Sequence, residues 1–174
     1  MKYKGRRKSL LFNWVRRMKI LSWDQSSNLS GYCLFDKNIV ESGVIDKHKI
    51  KDSSLRIAEM SKTICEKIDE FKVDVVVLEG IQNQGSIATV ILLARLQGMI
   101  LGYCYAHGIR TEILGPSQWR SKLKFKQGAG VKRDDLKQQA MDYVLKEYGL
   151  EVDVDQSEAV CIAVAADKIF DDEI

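Results

Sequence analysis

The sequence predicts an α/β fold: one mixed five-stranded sheet with helices packed on both faces. Three observations carry this. Residues 19–46 hold three short strand-like runs in succession, which pair most simply as an antiparallel meander. Helix-like and strand-like segments alternate after them, an order that adds strands to the same sheet and helices to its faces. Residues 73–79 read VDVVVLE, a nearly unbroken β-branched run of the kind found in a strand buried on both faces.

The elements follow in order. Residues 19–24 (KILSWD) and 31–36 (GYCLFD) read as a hairpin with QSSNLS as its turn region, and 39–46 (IVESGVID) as the third strand. Residues 53–71 are an amphipathic helix with Leu55, Ala58, Met60, Ile64, Cys65 and Ile68 mostly on one face and Asp52 or Ser53 at its start. Residues 73–79 and 109–114 are the last two strands. Between them, 86–107 form a long helix, apolar nearly all round. Ala94, Gly98, Gly102 and Ala106 recur on it at intervals of four. Close packing of this stripe against the sheet is the favoured reading, and a helix–helix contact across a dimer the alternative. Residues 115–131 read as loop, 132–148 as a polar surface helix, and 155–170 as a closing helix with Ala159, Ile162, Ala163 and Ala166 inward.

The chain has 174 residues, 45% of them hydrophobic, with one proline and no repeat or linker, which suits a single domain over 18–174. Eight of the 27 bases and no acid fall in residues 1–19, leaving 19 bases against 24 acids in the remainder. Residues 1–17 are thus a basic extension on a mildly acidic domain, able to bind nucleic acid without sequence preference or simply dispensable. Cys33, Cys65, Cys104 and Cys161 form no Cys-x-x-Cys, which argues against zinc and for buried thiols in a reducing cytoplasm. The apolar run at 87–106 contains Arg95, Gln97, Gly98 and Gly102, and is expected to be a buried helix, not a membrane span.

Candidate chemistry lies in the acids. Asp24 closes the first strand and Glu79 the fourth. Adjacent strands ending at one sheet edge would bring both to the place where open α/β sheets bind ligands. Asp155 and Glu158, three apart at the start of a small-residue helix, share a face and could join them. Asp153 competes with Asp155 for that place. Four crowded carboxylates are best tolerated around a hard divalent cation, so Mg²⁺ or Mn²⁺ is expected, two per active site. Two such ions about 4 Å apart suit phosphodiester hydrolysis. Individually, each acid also fits a turn, a strand end or a helix N-terminus; the combination carries the functional reading.

Residues 115–133 add Arg120, Lys122, Lys124, Lys126, Lys132 and Arg133 with no acid, and interleave Trp119 and Phe125. These bases are expected to hold a nucleic-acid backbone, with Phe125 stacking on unpaired bases. The alternative tucks the aromatics into the core, and for Trp119 that alternative is favoured.

The Asp24 turn leading to Gly31, VVVLEG ending in Glu79-Gly80, and Asp155-x-x-Glu158-Ala159 resemble the RuvC-type Holliday junction resolvases of the ribonuclease H-like, or integrase, superfamily. The resemblance spans roughly residues 18–170. It implies a ribonuclease H-like fold and a homodimer that nicks two strands of a four-way DNA junction symmetrically. It also implies two divalent ions on the four acids, and products with 5′-phosphate and 3′-hydroxyl ends. Three departures stand out. The family's Gly-x-Asp-Pro-Gly-Ser is here Ser22-Trp23-Asp24-Gln25-Ser26-Ser27, its last aspartate is Glu158, and its aromatic after the second acid is replaced by Ile81 and Gln82. Gln82 is taken as the DNA contact there. With the PSQWR motif, these departures look like a bacteriophage branch that cuts branched DNA broadly. The rival readings are a non-catalytic branched-DNA-binding module, the same chemistry on another substrate as in a ribonuclease H or transposase, and an actin-like or sugar-kinase ATP-binding domain. The last needs a second phosphate loop and a second domain that 174 residues do not hold.

Overall fold

A computed structural model describes residues 18–82 and 86–172; the basic extension at 1–17 lies outside them. The elements are β1 (Ile20–Asp24), β2 (Leu29–Phe35), β3 (Ile39–Asp46), α1 (Ser53–Phe71), β4 (Val75–Glu79), α2 (Ile87–Ala106), β5 (Arg110–Leu114), α3 (Pro116–Lys122), α4 (Arg133–Tyr148) and α5 (Val154–Asp172). They build one sheet in the order β3-β2-β1-β4-β5. The first three strands form the expected antiparallel meander, and β4 and β5 run parallel to β1.

Period-two alternation divides the strands between two cores. Leu21, Trp23, Val76 and Leu78 pack with Ile57, Met60, Ile64 and Ile68 of α1 and Leu96, Ile100 and Cys104 of α2. Ile20, Cys33, Val75 and Val77 face α5, with α3 and α4 beyond it. Helices therefore cover both faces, as predicted.

Three expectations are corrected. Residues 115–131 are not all loop. Pro116 starts α3, where its fixed φ suits a first helical turn. Trp119 and Leu123, one turn apart, are buried against α5 and α4. Second, α5 is buried on all sides from Ser157 to Ala166, not along one face, because α3 and α4 close over it. Third, α2 is not a buried helix. It buries only Leu96, Gln97, Ile100 and Cys104, while Ile87, Ile91, Met99 and Tyr105 are exposed. The stripe of small residues does not pack on the sheet. Ala94, Gly98, Gly102 and Ala106 are exposed, and a β-carbon at Gly98 or Gly102 would meet nothing within 4 Å. By length and composition α2 could cross a membrane, yet its inner side is committed to the sheet and α1.

Candidate active site

The strand periodicity fixes the first two acids. Ile20 and Ser22 precede Asp24 at two-residue steps, and Val75 and Val77 precede Glu79 likewise, so both carboxylates fall on the α5 face. The parallel register sets Ile20 opposite Val75 and Ser22 opposite Val77. Two residues further, where both strands end, Asp24 stands beside Glu79.

The ladder itself stops at Trp23 and Leu78, and a side chain continues it. The Gln25 carboxamide donates to the Glu79 carbonyl (2.6 Å) and accepts from the Glu79 amide (3.1 Å), replacing the peptide group that β1 no longer supplies. Gln97 of α2 donates to the same carbonyl at 3.0 Å. On the other edge, the Gly80 amide bonds to the Leu114 carbonyl at 2.8 Å. The Glu79 peptide is thereby held by Gln25 and Gln97, and the next amide by β5.

Helix α5 brings the other two acids. Asp153 caps it, its Oδ1 accepting from the Gln156 amide at 2.9 Å. Asp153 is the cap, while Asp155 and Glu158 line the cleft with Asp24 and Glu79. The buried Ser22 hydroxyl donates to the Ala159 carbonyl (2.7 Å), fastening the first turns of α5 to β1. Beneath them lies Gly31, where any side chain would collide with the Asp155 backbone.

Cations and donors complete the wall. Trp119, fully buried, donates its indole N–H to Glu79 Oε1 at 2.9 Å. Arg120 Nη2 lies 3.4 Å from Glu158 Oε1 and 3.9 Å from Glu79 Oε1. Arg133 and Lys137, one turn apart on α4, line the same cleft of about 650 Å³.

The electrostatics are those of a crowded anionic site. Burial pushes the Asp24 carboxyl well above the usual aspartate range, and Glu79, Glu158 and Asp155 push it further. Glu79 is raised by burial against the opposing Trp119 hydrogen bond, Glu158 by burial against Arg120 and Lys137, and Asp155 by burial and Asp153. Groups so placed need protons or a cation. The donor set is oxygen only, which suits a hard divalent ion such as Mg²⁺ or Mn²⁺. Among the described residues no three acids, histidines or cysteines already stand as a coordination sphere; the Arg120 guanidinium lies between Glu79 and Glu158.

The predicted DNA-contact residues divide. Gln82, Arg120 and Arg133 line the cleft. Lys124, Lys126 and Lys132 are exposed outside its lining. Three expectations change. Phe125 is no free stacking platform: it packs edge-on between Trp119 and Tyr143, with centroids 5.7 Å from each. Lys122 pairs with Asp172 away from the cleft. Arg120 faces inward to the carboxylates. Sequence reasoning missed Gln25, Gln97, the Trp119–Glu79 bond and Lys137. Only Lys137 carried a signal, its spacing of four from Arg133 on a helix.

No family model and no curated protein sequence matches this chain. Solved structures do. A Thermus thermophilus RuvC in complex with a Holliday junction substrate is similar at TM-score 0.69 and 13% identity, over 87% of this chain and 94% of that one. The fowlpox virus resolvase, also solved with Holliday junction DNA, gives 0.59 and 15% over 87% and 98%. The yeast mitochondrial Holliday junction resolvase gives 0.61 and 16% over 89% and 80%. The chain has the fold of the RuvC-type Holliday junction resolvases, the ribonuclease H-like arrangement that its acidic motifs resemble.

Proposed function

We propose that the protein is a divalent-metal-dependent, structure-selective DNA endonuclease that resolves four-way junctions during recombination or phage DNA processing. One observation carries the proposal: Asp24, Glu79, Asp155 and Glu158, from three elements far apart in sequence, line a single cleft beside Arg133 and Lys137. The resolvase fold, with solved neighbours in complex with junction DNA, supports that substrate.

In this reading the four carboxylates hold the cations, and Gln25 and Trp119 fix Glu79 for that purpose. Bound there, two Mg²⁺ or Mn²⁺ ions supply an activated water and charge stabilisation for the leaving oxygen. Arg133 and Lys137 hold the backbone phosphates flanking the scissile one, and Gln82 reaches the DNA from the lip of the cleft. Lys124, Lys126 and Lys132 extend the positive surface beyond it. Four unpaired cysteines suit a reducing cytoplasm.

The proposed working form is a homodimer paired through α2. Its exposed Ile91, Met99 and Tyr105, with the Gly98–Gly102 stripe, form a largely apolar face, with Arg95 among them, that a second copy would cover. Two copies give the paired cuts that a symmetric junction requires.

The test is cleavage of labelled synthetic DNAs: a four-way junction, a Y fork and a linear duplex, each with Mg²⁺ or EDTA, using wild type and Asp24→Asn. Paired symmetric nicks in the junction, lost with EDTA and in the variant, are expected. Equal cutting of forks and junctions would broaden the substrate to branched DNA in general. Junction binding without cutting under any condition would replace the nuclease by a binding module.

A further inference from the structure

Arg120 sits where a metal-binding site has least use for a positive charge. Its side chain is only 12% exposed and lies between Glu158 and Glu79. A committed buried arginine pairs two of its donors with one carboxylate. Arg120 does not. Its two approaches, 3.4 Å and 3.9 Å, come from one nitrogen to two different acids, and its buried Nε has no partner. The group is held by charge rather than by a full set of hydrogen bonds.

Its base is nevertheless rigid. The neighbouring Trp119 is fully buried, bonds to Glu79 and carries the guanidinium over its ring at 4.7 Å. The part of Arg120 that can yield to a cation is therefore its long side chain, which lines the cleft.

On the metal-nuclease reading above, we infer that Arg120 is a resident counter-cation: in the metal-free protein its guanidinium occupies the gap between Glu79 and Glu158, and it competes with the divalent ion for those carboxylates. The protein then keeps its acids folded together without metal, at a cost in metal affinity. Removing the charge should tighten metal binding and weaken the metal-free fold. A purely structural ion pair would weaken the fold equally with and without metal.

The experiment measures Mn²⁺ binding by electron paramagnetic resonance, and thermal unfolding in EDTA and in saturating Mn²⁺, without DNA. Wild type, Arg120→Gln, Arg120→Lys and Asp24→Asn are compared. Arg120→Gln should bind Mn²⁺ about tenfold tighter, equivalent to roughly 1.4 kcal/mol of competition removed. Its Tm should fall in EDTA and recover towards wild type in Mn²⁺. Arg120→Lys, which keeps the charge but not the fork, should bind with intermediate affinity, and it serves the same test if Arg120→Gln does not fold. Unchanged or weaker Mn²⁺ binding in both Arg120 variants, while wild type binds and Asp24→Asn does not, would overturn the inference and leave the nuclease reading intact. No Mn²⁺ binding by wild type or either Arg120 variant would overturn both.

Discussion

A β-carbon at Gly31 would lie 1.9 Å from the carbonyl oxygen of Asp155 and 3.0 Å from the Gln156 amide nitrogen. The obstacle is backbone at the first turn of α5, which no side-chain rotation can relieve. Gly31, opposite Asp24 in the hairpin register, is therefore the residue that lets the acid pair approach the strand-end pair. Gly31→Ala should push the α5 N-terminus off the sheet, cost about 1–3 kcal/mol as overpacking does, and abolish metal-dependent cleavage. Denaturant unfolding together with the junction assay checks this; a variant with wild-type stability and activity would mean that α5 does not seat on Gly31.

Gly31 also marks the limit of what the sequence discloses. The sequence shows Asp24 and Glu79 as the ends of two strands, and the structure sets those strands side by side in parallel. The acid pair on α5 followed from helical spacing. The reason for Gly31 did not, since it depends on how closely a helix some 120 residues later crosses β2. Gln25 and Gln97 were illegible for the same reason: a glutamine side chain that continues a backbone ladder has no sequence signature. The exposure of α2 was not legible, because an apolar helix reads alike whether or not the sheet covers it. Phe125 was misread because α3, hidden in an apparent loop, turned the aromatics inward.

The Gln25 carboxamide supplies two hydrogen bonds to the Glu79 backbone. Gln25→Leu should remove both and leave the Glu79 amide without its partner. At about 0.5–1.5 kcal/mol each, the loss predicts a cost of about 1–3 kcal/mol. Amide hydrogen exchange at Glu79 should quicken while that at Val76, inside the ladder, is unchanged. Equal protection at Glu79 in both proteins would show that β4 holds this acid without help.

Helix α2 offers a separable test of assembly. Gly102 is exposed and its β-position is open, so Gly102→Arg should leave the protomer fold intact. Placed in the stripe, the arginine should disrupt pairing. Sedimentation should give a dimer mass for wild type and half of it for the variant, and paired junction nicking should fall at least about tenfold, a loss of roughly 1.4 kcal/mol. A wild-type monomer active on junctions would rule out α2 as the dimer interface.

The four acids also set how stability responds to pH. Each has its carboxyl raised above the ordinary values of 3.8 for aspartate and 4.5 for glutamate, mainly by burial. The folded chain therefore binds more protons than the unfolded chain in the window above those values. The stability they contribute is fully present below the ordinary values and is lost as pH rises through the raised ones. Glu41, Asp46 and Glu147, held low by hydrogen bonds, act in the opposite direction, so the comparison must be made against a variant. In EDTA, Asp24→Asn should gain on wild type as pH rises from 5 to 8. At pH 8 its Tm should be higher by about 2–4 °C, the shift that roughly 1 kcal/mol makes in a domain of this size. Added Mn²⁺ should reverse that order at pH 8, because only wild type retains the full carboxylate set, and should do little at pH 5, where protons already neutralise the cluster. Parallel pH profiles for the two proteins in EDTA would mean that Asp24 is not held against its charge.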